Sequence, residues 1–531
     1  MDTPALLAAL PARISAIVRQ RAALAPHSPA LQQDGRSWSY VELATQVDAH
    51  ALLLRQLGVR AGDRVMVVGE NCVAQVALIF AAAELDAWIV NVNARLSNAE
   101  LATIRQHSGA RRVLYLVAAS PEAGKHAERD GATATPDLTS GLMAGPLNLQ
   151  CSAEPVQPGH DQVAALIYTT GTTGQPKGVM LTHRNLLFIA AVSSTLRGLA
   201  PHDRAYGVLP ISHVYGLASV MLGTLYAGAC LVLAPRFSSA AMLRAITEDK
   251  LTILQGVPAM YARLLELAAA AAPTHAPVQG ALTSHLRFIY AGGSPLDPNL
   301  KRQVEQLLGL PLHNGYGMTE SAPTISQTRL DAPRTDTSVG TVIPGVEVRL
   351  VEAGGVDAGG VDVARGDCGE LWVRGPNLMR GYYREPALTA AVMRPGGWLN
   401  TGDMARQDGA GALFIVGRTK ELIIRSGFNV YPLEVETVLN AHPGVIQSAV
   451  VGRLVAAGNE EVVAFVETNR HNRPSLQELN DYLAQQLAAY KCPSEIVIMA
   501  ALPAAATGKI LKGQLKELAQ GMLPKKTTGD K

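Results

Sequence analysis

The sequence lacks several features that would point to a macromolecular partner or an unusual class of protein. It has almost no charge imbalance, since 46 Lys and Arg stand against 44 Asp and Glu for a net charge of +2. Neither nucleic acid nor an acidic surface is therefore indicated as a partner. Charged residues make up 17% of the chain and hydrophobic residues 48%, which is typical of a globular protein and excludes a disordered polymer.

Cysteine is also scarce, and its spacing carries no motif. The five cysteines are far apart, with no CxxC pair and no Cys/His spacing typical of a zinc site. Their odd number favours a reducing, cytoplasmic compartment. No basic region precedes the short apolar run after Asp2, so a secretory signal is not indicated.

One long stretch has no charge at all, from Val214 to Pro235. Its length would suit a membrane span. Its three glycines and the exit at Pro235-Arg236 instead predict a buried helix that turns into a short strand, ACLVLA. We therefore expect no transmembrane segment.

The chain alternates strand-like and helix-like runs. RVMVVG, VAALIY, TILQGV and LRFIYAG read as strands, and VAQVALIFAAAEL and AAMLRAITEDK as helices. This alternation predicts an α/β fold with parallel-rich sheets sandwiched between helices. With 531 residues, the chain exceeds what one core usually organises, so at least two domains are expected.

A domain boundary is predicted near Gly417. Before it, RQDGAGALFIVG reads as a hairpin with Asp408-Gly409 in its turn. After it comes a compact alternation of strands and helices that includes VIQSAVVGR, EVVAFVE and LQELNDYLAQQL. We expect a large N-terminal domain (1–417), a hinge (418–420) and a small, mobile α+β C-terminal domain (421–531).

The most informative segment is YTTGTTGQPKG, residues 168 to 178. Glycines allow backbone N–H groups to converge on an anion, threonine hydroxyls add donors, and Lys177 adds a positive charge. It is not a Walker A loop, because Pro176 precedes the lysine and Gly178 follows it. A phosphate-binding loop is favoured over an ordinary Gly/Thr-rich surface turn.

Four further motifs follow in order: NGYGMTE ending at Glu320, WLNTGD ending at Asp403, GRTKELIIRSGFNVYPLEVE from Gly417, and ATGKILK from Ala506. Together with the Thr/Gly loop they closely resemble the AMP-forming acyl-CoA synthetases of the adenylate-forming superfamily, from about residue 30 to about residue 516. The Thr507-Gly508-Lys509 turn is intact, although the AAA before it lacks the Asn or Thr that many relatives carry.

The resemblance implies a carboxylic acid–CoA ligase, class 6.2.1, that uses ATP, Mg²⁺ and coenzyme A. It implies Lys509, Thr319, Glu320 and His213 as catalytic residues, with Glu320 also holding the magnesium ion. It assigns ATP binding to Thr169, Thr170, Gly171, Thr172, Thr173, Gly174, Lys177, Gly292, Gly293, Asn314, Gly315, Tyr316, Thr319, Asp403, Arg418 and Lys509. Lys420 stands at the hinge position, and Gly427 at the glycine past which the CoA thiol arm threads.

The acyl pocket implied by the resemblance is formed by His213, Val214, Tyr215, Gln255, Ala291, Gly292 and Met318. These wall segments contain no Lys or Arg, so we expect an apolar monocarboxylic acid, aromatic or medium- to long-chain, and poor use of dicarboxylates. Gln255 is the one polar candidate for reading a ring hydroxyl or carbonyl, and a bond to backbone is the alternative. The expected partners are small molecules, and a homodimer is compatible with the family.

Three other functions compete with CoA ligation. A freestanding adenylation enzyme that loads a carrier-protein phosphopantetheine shares every adenylation motif, and the absence of a fused carrier domain disfavours it only mildly. A catalytically silent nucleotide-binding protein is disfavoured by the intact Lys509, Glu320 and Asp403. A luciferase-like oxygenase has no motif of its own here.

Overall fold

The structure, a computed structural model, describes residues 2–135, 141–170, 176–271, 285–352, 360–425, 428–455, 459–468, 473–504 and 510–522. It divides into two compact units. The first comprises Met1–Gly293, Arg302–Val348 and Val373–Leu399, and the second comprises Ser294–Lys301, Arg349–Trp372 and Asn400–Lys531. The predicted boundary at 417–420 stays a prediction.

The α-helices, in chain order, are α1 Thr3–Ala9, α2 Ala16–Leu24, α3 Tyr40–Gln56, α4 Val73–Glu84, α5 Asn98–Ser108, α6 Pro121–Arg129, α7 His183–Leu196, α8 Gly223–Tyr226, α9 Ser239–Thr247, α10 Pro258–Ala271, α11 Pro298–Leu308, α12 Pro386–Val392, α13 Pro432–Asn440, α14 Leu476–Ala484 and α15 Lys512–Gly521. A π-helix covers Tyr215–Leu222, and short 3-10 helices cover Gly159–Asp161, Thr319–Ser321 and Thr419–Glu421.

The strands are β1 Pro29–Gln33, β2 Arg36–Ser39, β3 Arg64–Gly69, β4 Trp88–Asn93, β5 Arg112–Leu116, β6 Thr133–Ala134, β7 Leu142–Ala144, β8 Val163–Thr170, β9 Pro176–Thr182, β10 Arg204–Gly207, β11 Cys230–Leu233, β12 Ile253–Gly256, β13 Phe288–Ala291, β14 Leu312–Gly317, β15 Thr324–Gln327, β16 Thr341–Val342, β17 Glu347–Val351, β18 Gly369–Arg374, β19 Gly381–Tyr382, β20 Met393–Arg394, β21 Trp398–Gln407, β22 Leu413–Arg418, β23 Ile423–Arg425, β24 Phe428–Val430, β25 Val445–Leu454, β26 Glu460–Thr468 and β27 Glu495–Met499.

Two large mixed sheets form the first unit. The nine-stranded sheet has the order β16-β15-β14-β13-β12-β10-β11-β1-β2, and its middle strands from β14 to β1 run parallel. The eight-stranded sheet has the order β19-β9-β8-β4-β3-β5-β7-β6, with β8, β4, β3 and β5 parallel. These sheets confirm the predicted α/β class.

Buried apolar runs explain why the elements form where they do. Every residue of β3 is buried, and α4 buries nine of its residues; apart from Arg64 in the strand and Gln75 in the helix, these buried residues are apolar. Continuous apolar strands of this kind are typical of parallel sheets covered by helices on both faces. The predicted strand RVMVVG matches β3 residue for residue.

The uncharged stretch from Val214 to Pro235 is a buried core segment. It contains the π-helix, α8 and the buried strand β11, as predicted except for the π-type turn. At Gly216 an added Cβ would lie 2.2 Å from the carbonyl oxygen of Pro210, so this turn requires glycine. Among the described residues, no helix combines the length and apolar character needed to cross a bilayer.

The second unit contains a small α+β core. β25, β26 and β27 form a three-stranded sheet, in which β25 and β26 run antiparallel and β26 and β27 parallel. Side chains from this sheet pack with α13 and α14 in one hydrophobic cluster, which includes Val435, Leu439, Val450, Val462, Ala464, Leu479 and Leu483. The predicted hairpin is confirmed, because β21 and β22 pair antiparallel.

Candidate active site

The Thr/Gly loop connects two antiparallel strands. β8 and β9 pair with Thr169 opposite Lys177, so both residues stand at the base of the loop. Gly171, Thr172, Thr173 and Gly174 lie outside the described residues, as does the side chain of Thr170. A strand-loop-strand unit holds the two ends of a phosphate loop at a fixed separation, and phosphate binding by the loop itself stays a prediction.

Tyr382 lies beside both Lys177 and Glu320. β19 pairs with β9 so that Tyr382 stands opposite Val179, two residues beyond Lys177. The ammonium of Lys177 lies 5.2 Å from the centroid of the Tyr382 ring, within cation–π range. The Tyr382 hydroxyl donates to Oε1 of Glu320 over 2.7 Å. Two predicted site residues that are far apart in sequence are thus held around one aromatic ring.

Glu320 belongs to the 3-10 helix that follows β14, and it is 8% exposed. Its backbone carbonyl accepts from Met379 N at 2.8 Å, and the amide of Asn377 donates to the carbonyls of Ser321 and Thr324. The segment before β19 therefore fixes the turn that carries Thr319 and Glu320. Burial, together with the nearby Glu320 carboxylate, raises the pKa of Tyr382, so its hydroxyl stays a donor at neutral pH.

The Glu320 carboxylate is the type of ligand that binds the magnesium ion of a magnesium–ATP complex. Within the part of the chain that the structure describes, no three His, Cys, Asp or Glu side chains form a ready-made metal site. Magnesium is usually held by one or two protein carboxylates together with substrate phosphates. The buried Glu320 carboxylate, which shares Tyr382 with Lys177, fits that requirement, and magnesium binding by Glu320 stays a prediction.

The carboxyl ends of three parallel strands bring several predicted residues together. Gln255 at the end of β12 stands opposite Tyr290 of β13, and Ala291 stands opposite Asn314 of β14. In open α/β sheets, ligands bind at this edge of the strands. The predicted adenine and acyl residues on these strands are therefore neighbours across the sheet.

Asn314 has internal partners. Its amide nitrogen donates to the carbonyls of Thr337 and Ser338 at 3.2 and 3.3 Å, and its Oδ1 accepts from Gly315 N at 2.9 Å. At Gly315 an added Cβ would lie 1.9 Å from the Tyr290 hydroxyl. The predicted adenine contact of Asn314 would therefore involve a side chain already fixed in orientation, and its role, like that of Tyr316, stays a prediction.

The predicted acyl wall combines one exposed and several buried side chains. His213 is exposed, and its Nδ1 accepts from Tyr215 N at 3.2 Å. It is therefore not a packed core histidine, the ordinary alternative for a histidine in an apolar run. Val214, Tyr215, Gln255 and Ala291 are buried, and Met318 is partly exposed.

The glycines of the wall stand close to aromatic rings. Gly292 is buried, and an added Cβ would lie 3.1 Å from the Tyr290 ring and 3.3 Å from the Tyr215 ring. Gly293 is exposed and has a φ of +83°, a conformation that favours glycine. The backbone here therefore passes closer to Tyr215 and Tyr290 than a larger residue at 292 would allow.

Sequence reasoning missed a cation behind this wall. Arg197, the residue that follows α7, donates from Nη1 to Oε1 of Gln255 over 2.6 Å. The carbonyl oxygen of Gln255 thus accepts from a buried arginine, a partner that the sequence did not suggest, while the expected contact of Gln255 with a ring hydroxyl or carbonyl of the substrate stays a prediction. No local pattern marks Arg197, since it lies 58 residues from Gln255 in the chain.

In the second unit, the two predicted ribose residues form an ion pair. Asp403 of β21 stands opposite Arg418 of β22, and Arg418 Nε lies 3.2 Å from Asp403 Oδ1. Asp403 is buried, and its backbone N–H donates to the hydroxyl of Thr401 at 3.1 Å. The pair supports the expectation that both residues contact one sugar, which stays a prediction.

The hinge residue Lys420 is exposed in the 3-10 helix after β22. Its neighbour Glu421 accepts from Lys512 Nζ at 2.9 Å, and Lys512 also lies 2.8 Å from Oε1 of Glu436. Burial acts to lower the pKa of Lys512, but the two carboxylates more than offset it and raise the pKa. Lys509 and Gly427 lie outside the described residues.

Most of the chain matches two known protein families. Residues 18–383 match the AMP-binding enzyme family, and residues 434–509 match the AMP-binding enzyme C-terminal domain. The chain belongs to the AMP-binding enzyme family. This confirms the predicted membership of the adenylate-forming acyl-CoA synthetases.

Relatives resemble the chain over nearly its whole length. A feruloyl-CoA synthase from Amycolatopsis sp is 36% identical over 94% of this chain and 97% of the relative. An indoleacetate–CoA ligase from Aromatoleum aromaticum is 34% identical over 95% of this chain and 98% of the relative. The o-succinylbenzoate coenzyme A synthetase of Bacillus subtilis, solved with ATP and magnesium ion, is 29% identical, with a TM-score of 0.78 over 94% of this chain and 99% of that one. The chain is accordingly an AMP-forming acid–CoA ligase.

Proposed function

We propose that this ligase converts a hydrophobic carboxylic acid, foremost an aromatic acid, to its CoA thioester at one site used twice. In the first step a carboxylate oxygen of the acid attacks the α-phosphorus of ATP, and the bond to the bridging oxygen of pyrophosphate breaks. In the second step the CoA thiol loses its proton, its sulfur attacks the acyl carbonyl, and AMP leaves. The relatives that act on feruloyl and indoleacetate groups favour the aromatic class.

The observation that carries this proposal is the grouping of Lys177, Tyr382 and Glu320. During adenylation, negative charge develops on phosphate oxygens and on the leaving group, so fixed donors and cations are required there. Lys177 and the hydroxyls of the loop after Thr169 would bind the β- and γ-phosphates, and Thr319 would donate to the α-phosphate. When bound to Glu320, magnesium would neutralise charge on the phosphates.

The remaining residues act on the nucleotide and on the reacting carboxylate. Asp403 would accept from the ribose hydroxyls, with Arg418 positioned by its ion pair with that carboxylate. Asn314 and Tyr316 would contact the adenine, the latter through its ring face. Lys509 would bring an ammonium to the α-phosphate and the carboxylate in the first step, and His213 would stand near the same carboxylate.

The second step requires the C-terminal domain to turn about Lys420, to withdraw Lys509 and to present the Gly427 tunnel to the thiol arm of CoA. Loading of a carrier protein is not favoured, because the relatives over the whole chain are CoA ligases. The five cysteines are all free thiols, which supports a reducing, cytoplasmic location. A homodimer stays a prediction.

Pyrophosphate release tests the proposal across acetate, benzoate, cinnamate, octanoate and a phosphopantetheine-loaded carrier, with and without CoA. We expect cinnamate or octanoate to exceed acetate in kcat/KM by well over tenfold, because each buried methylene contributes about 0.8 kcal/mol. Thioester should form on CoA and not on the carrier. Acetate as the best acid, or transfer to the carrier alone, would contradict the proposal.

A further inference from the structure

A fully buried arginine lies directly behind the predicted acyl wall. Arg197 is 0% exposed, and its Nη1 donates to Gln255 Oε1 at 2.6 Å and to the Ser219 carbonyl at 3.1 Å. Among the described residues it has no ion pair with an Asp or Glu. Buried guanidinium groups are normally paired with carboxylates or fully hydrogen-bonded, so this one is incompletely satisfied.

The unsatisfied groups around Arg197 are mostly hydrogen-bond donors. Nε and Nη2 of Arg197, Nε2 of Gln255 and the hydroxyl of Tyr215 are buried and have no partner among the described residues. Three of these four atoms can only donate, and the tyrosine hydroxyl can donate as well. Leaving them unpaired costs free energy, and an oxygen acceptor placed among them would recover it.

Two features stabilise the charge of Arg197 without binding these donors. The guanidinium carbon lies 4.8 Å from the centroid of the Tyr290 ring, and the residue caps the C-terminal end of α7, where the helix dipole favours a cation. A ring face and a dipole do not accept the in-plane N–H groups of a guanidinium. The Tyr290 ring and the dipole of α7 therefore explain why a buried charge is tolerated here, but they do not provide a hydrogen-bond acceptor for Nε and Nη2 of Arg197.

The donors lie among residues of the predicted acyl pocket. Gln255 and Tyr215 are themselves wall residues, and Tyr290 stands opposite Gln255 in the sheet. Gly292, a third wall residue, is close enough that an added Cβ would touch both Tyr290 and Tyr215. The incomplete hydrogen bonding is thus a property of the wall rather than of a remote part of the core.

We propose that Arg197, Gln255 and Tyr215 form a subsite for an oxygen acceptor on the acyl group, remote from the carboxylate that is activated. The inference rests on the proposed function and narrows its substrate class to aromatic acids whose ring carries a phenolic or carboxylate oxygen. A purely apolar acid leaves the donors unpaired, and sites built to bind an oxygen discriminate strongly against analogues that lack it. The lack of Lys and Arg in the wall segments consequently gives no argument against a second carboxylate.

The test compares matched acids within each enzyme. kcat/KM for thioester formation is measured with cinnamate, 4-methylcinnamate, and the 3- and 4-hydroxy and 3- and 4-carboxy cinnamates. In the wild type we expect at least one oxygenated acid to exceed both unsubstituted and methylated acids by about tenfold or more, the effect of a hydrogen bond to a charged group. A leading hydroxy acid identifies a phenol as the ligand, and a leading carboxy acid identifies an anion.

Two variants probe the subsite itself. Arg197→Met removes the guanidinium donors but keeps a side chain of similar length. In this variant, kcat/KM for the oxygenated acid should be within about twofold of kcat/KM for cinnamate. Gln255→Glu keeps the side-chain volume and offers Arg197 an internal carboxylate, so it should abolish the same preference even if Arg197→Met fails to fold. Tyr206→Phe is the matched control, because it removes another buried, unpartnered hydroxyl from β10 and should leave the ratio at the wild-type value.

The outcomes separate this inference from the function on which it rests. Turnover of cinnamate with no preference for oxygenated acids in the wild type would overturn the subsite alone, as would a preference that survives both variants. Arg197 would then be a structural cation held by Tyr290. Absence of thioester from every acid would overturn the proposed function and the subsite together.

Discussion

The hydroxyl of Tyr382 donates to Oε1 of Glu320 over 2.7 Å, while the ring of the same tyrosine lies 5.2 Å from the ammonium of Lys177. One side chain therefore orients the candidate magnesium ligand and borders the candidate phosphate cation. β19 brings it there by pairing with β9, the strand that follows the Thr/Gly loop. Tyr382 is a positioning residue in this arrangement.

Tyr382→Phe should weaken adenylation without unfolding the protein. The change removes a hydrogen bond to a charged group, typically about 1.5–3 kcal/mol, and leaves the ring beside Lys177 in place. We expect ATP–pyrophosphate exchange to fall about ten- to a hundredfold and the magnesium concentration for half-maximal rate to rise. Titration of magnesium in the exchange assay measures both effects.

The neighbouring tyrosine provides the control for that experiment. The Tyr383 hydroxyl donates to Glu154 at 2.6 Å instead of to Glu320. Tyr383→Phe should therefore leave the magnesium dependence at the wild-type value. Equal shifts in the two variants would show that Tyr382 has no particular relation to the metal.

Lys509→Ala should separate the two half-reactions. A single ammonium on the C-terminal domain is needed while charge develops at the α-phosphate, and its loss typically costs about 3 kcal/mol or more of barrier. Pyrophosphate exchange should nearly disappear, while thioester formation from supplied acyl-adenylate persists. Equal loss of both half-reactions would remove Lys509 from its assigned role.

Changes at the hinge and the tunnel should produce the opposite pattern. Gly427→Leu narrows the path for the CoA arm, and Lys420→Pro restricts the backbone torsions next to Glu421, which is tied to Lys512. Both variants should keep most pyrophosphate exchange and lose thioester formation steeply. Stopped-flow measurement of the rate of each half-reaction tests this prediction. If pyrophosphate exchange falls as far as thioester formation in folded protein, the C-terminal domain does not turn between the two half-reactions.

Much of the fold was predictable because its signals are local. The run RVMVVG is apolar after Arg64 and forms β3, and the Asp408-Gly409 turn predicted the β21–β22 hairpin that pairs Asp403 with Arg418. The order of the motifs indicated the family for the same reason, since each motif is a continuous stretch of sequence. In contrast, an apolar run does not distinguish an α-helix from the π-helix at Tyr215–Leu222, because both bury the same residues.

Long-range partners could not be predicted in the same way. Tyr382 lies 62 residues from Glu320, and Arg197 lies 58 residues from Gln255. Each contact joins a strand to a helix end or a 3-10 turn that lies far away in the chain, and no periodicity in the sequence records which of these elements pack together. The wall segments contain no Lys or Arg, but a cation lies next to them at the end of α7, outside those segments.

His183 makes the stability of the first unit depend on pH. It begins α7 and is fully buried; its Nδ1 accepts from Ile14 N at 3.2 Å, and its Nε2 has no partner among the described residues. Burial, with smaller contributions from the charges of Arg13 and His160, lowers the pKa of His183 to about 3. The imidazole is therefore neutral in the folded protein throughout the physiological range.

The sign of the effect follows from proton binding. Below the ordinary histidine pKa of about 6.5, the unfolded chain takes up a proton at His183 that the folded protein does not bind until about pH 3. The free energy of unfolding should consequently fall as the pH drops, by about 2 kcal/mol between neutral pH and pH 5. Urea unfolding at pH 7.5 and pH 5 measures this loss. His183→Asn retains an acceptor for Ile14 N and cannot titrate. Between pH 7.5 and pH 5, the free energy of unfolding of this variant should therefore fall by about 2 kcal/mol less than that of the wild type. His202→Asn, at an exposed position, is the control and should lose as much unfolding free energy between pH 7.5 and pH 5 as the wild type does. If His183→Asn also loses as much as the wild type, groups other than His183 cause the acid sensitivity.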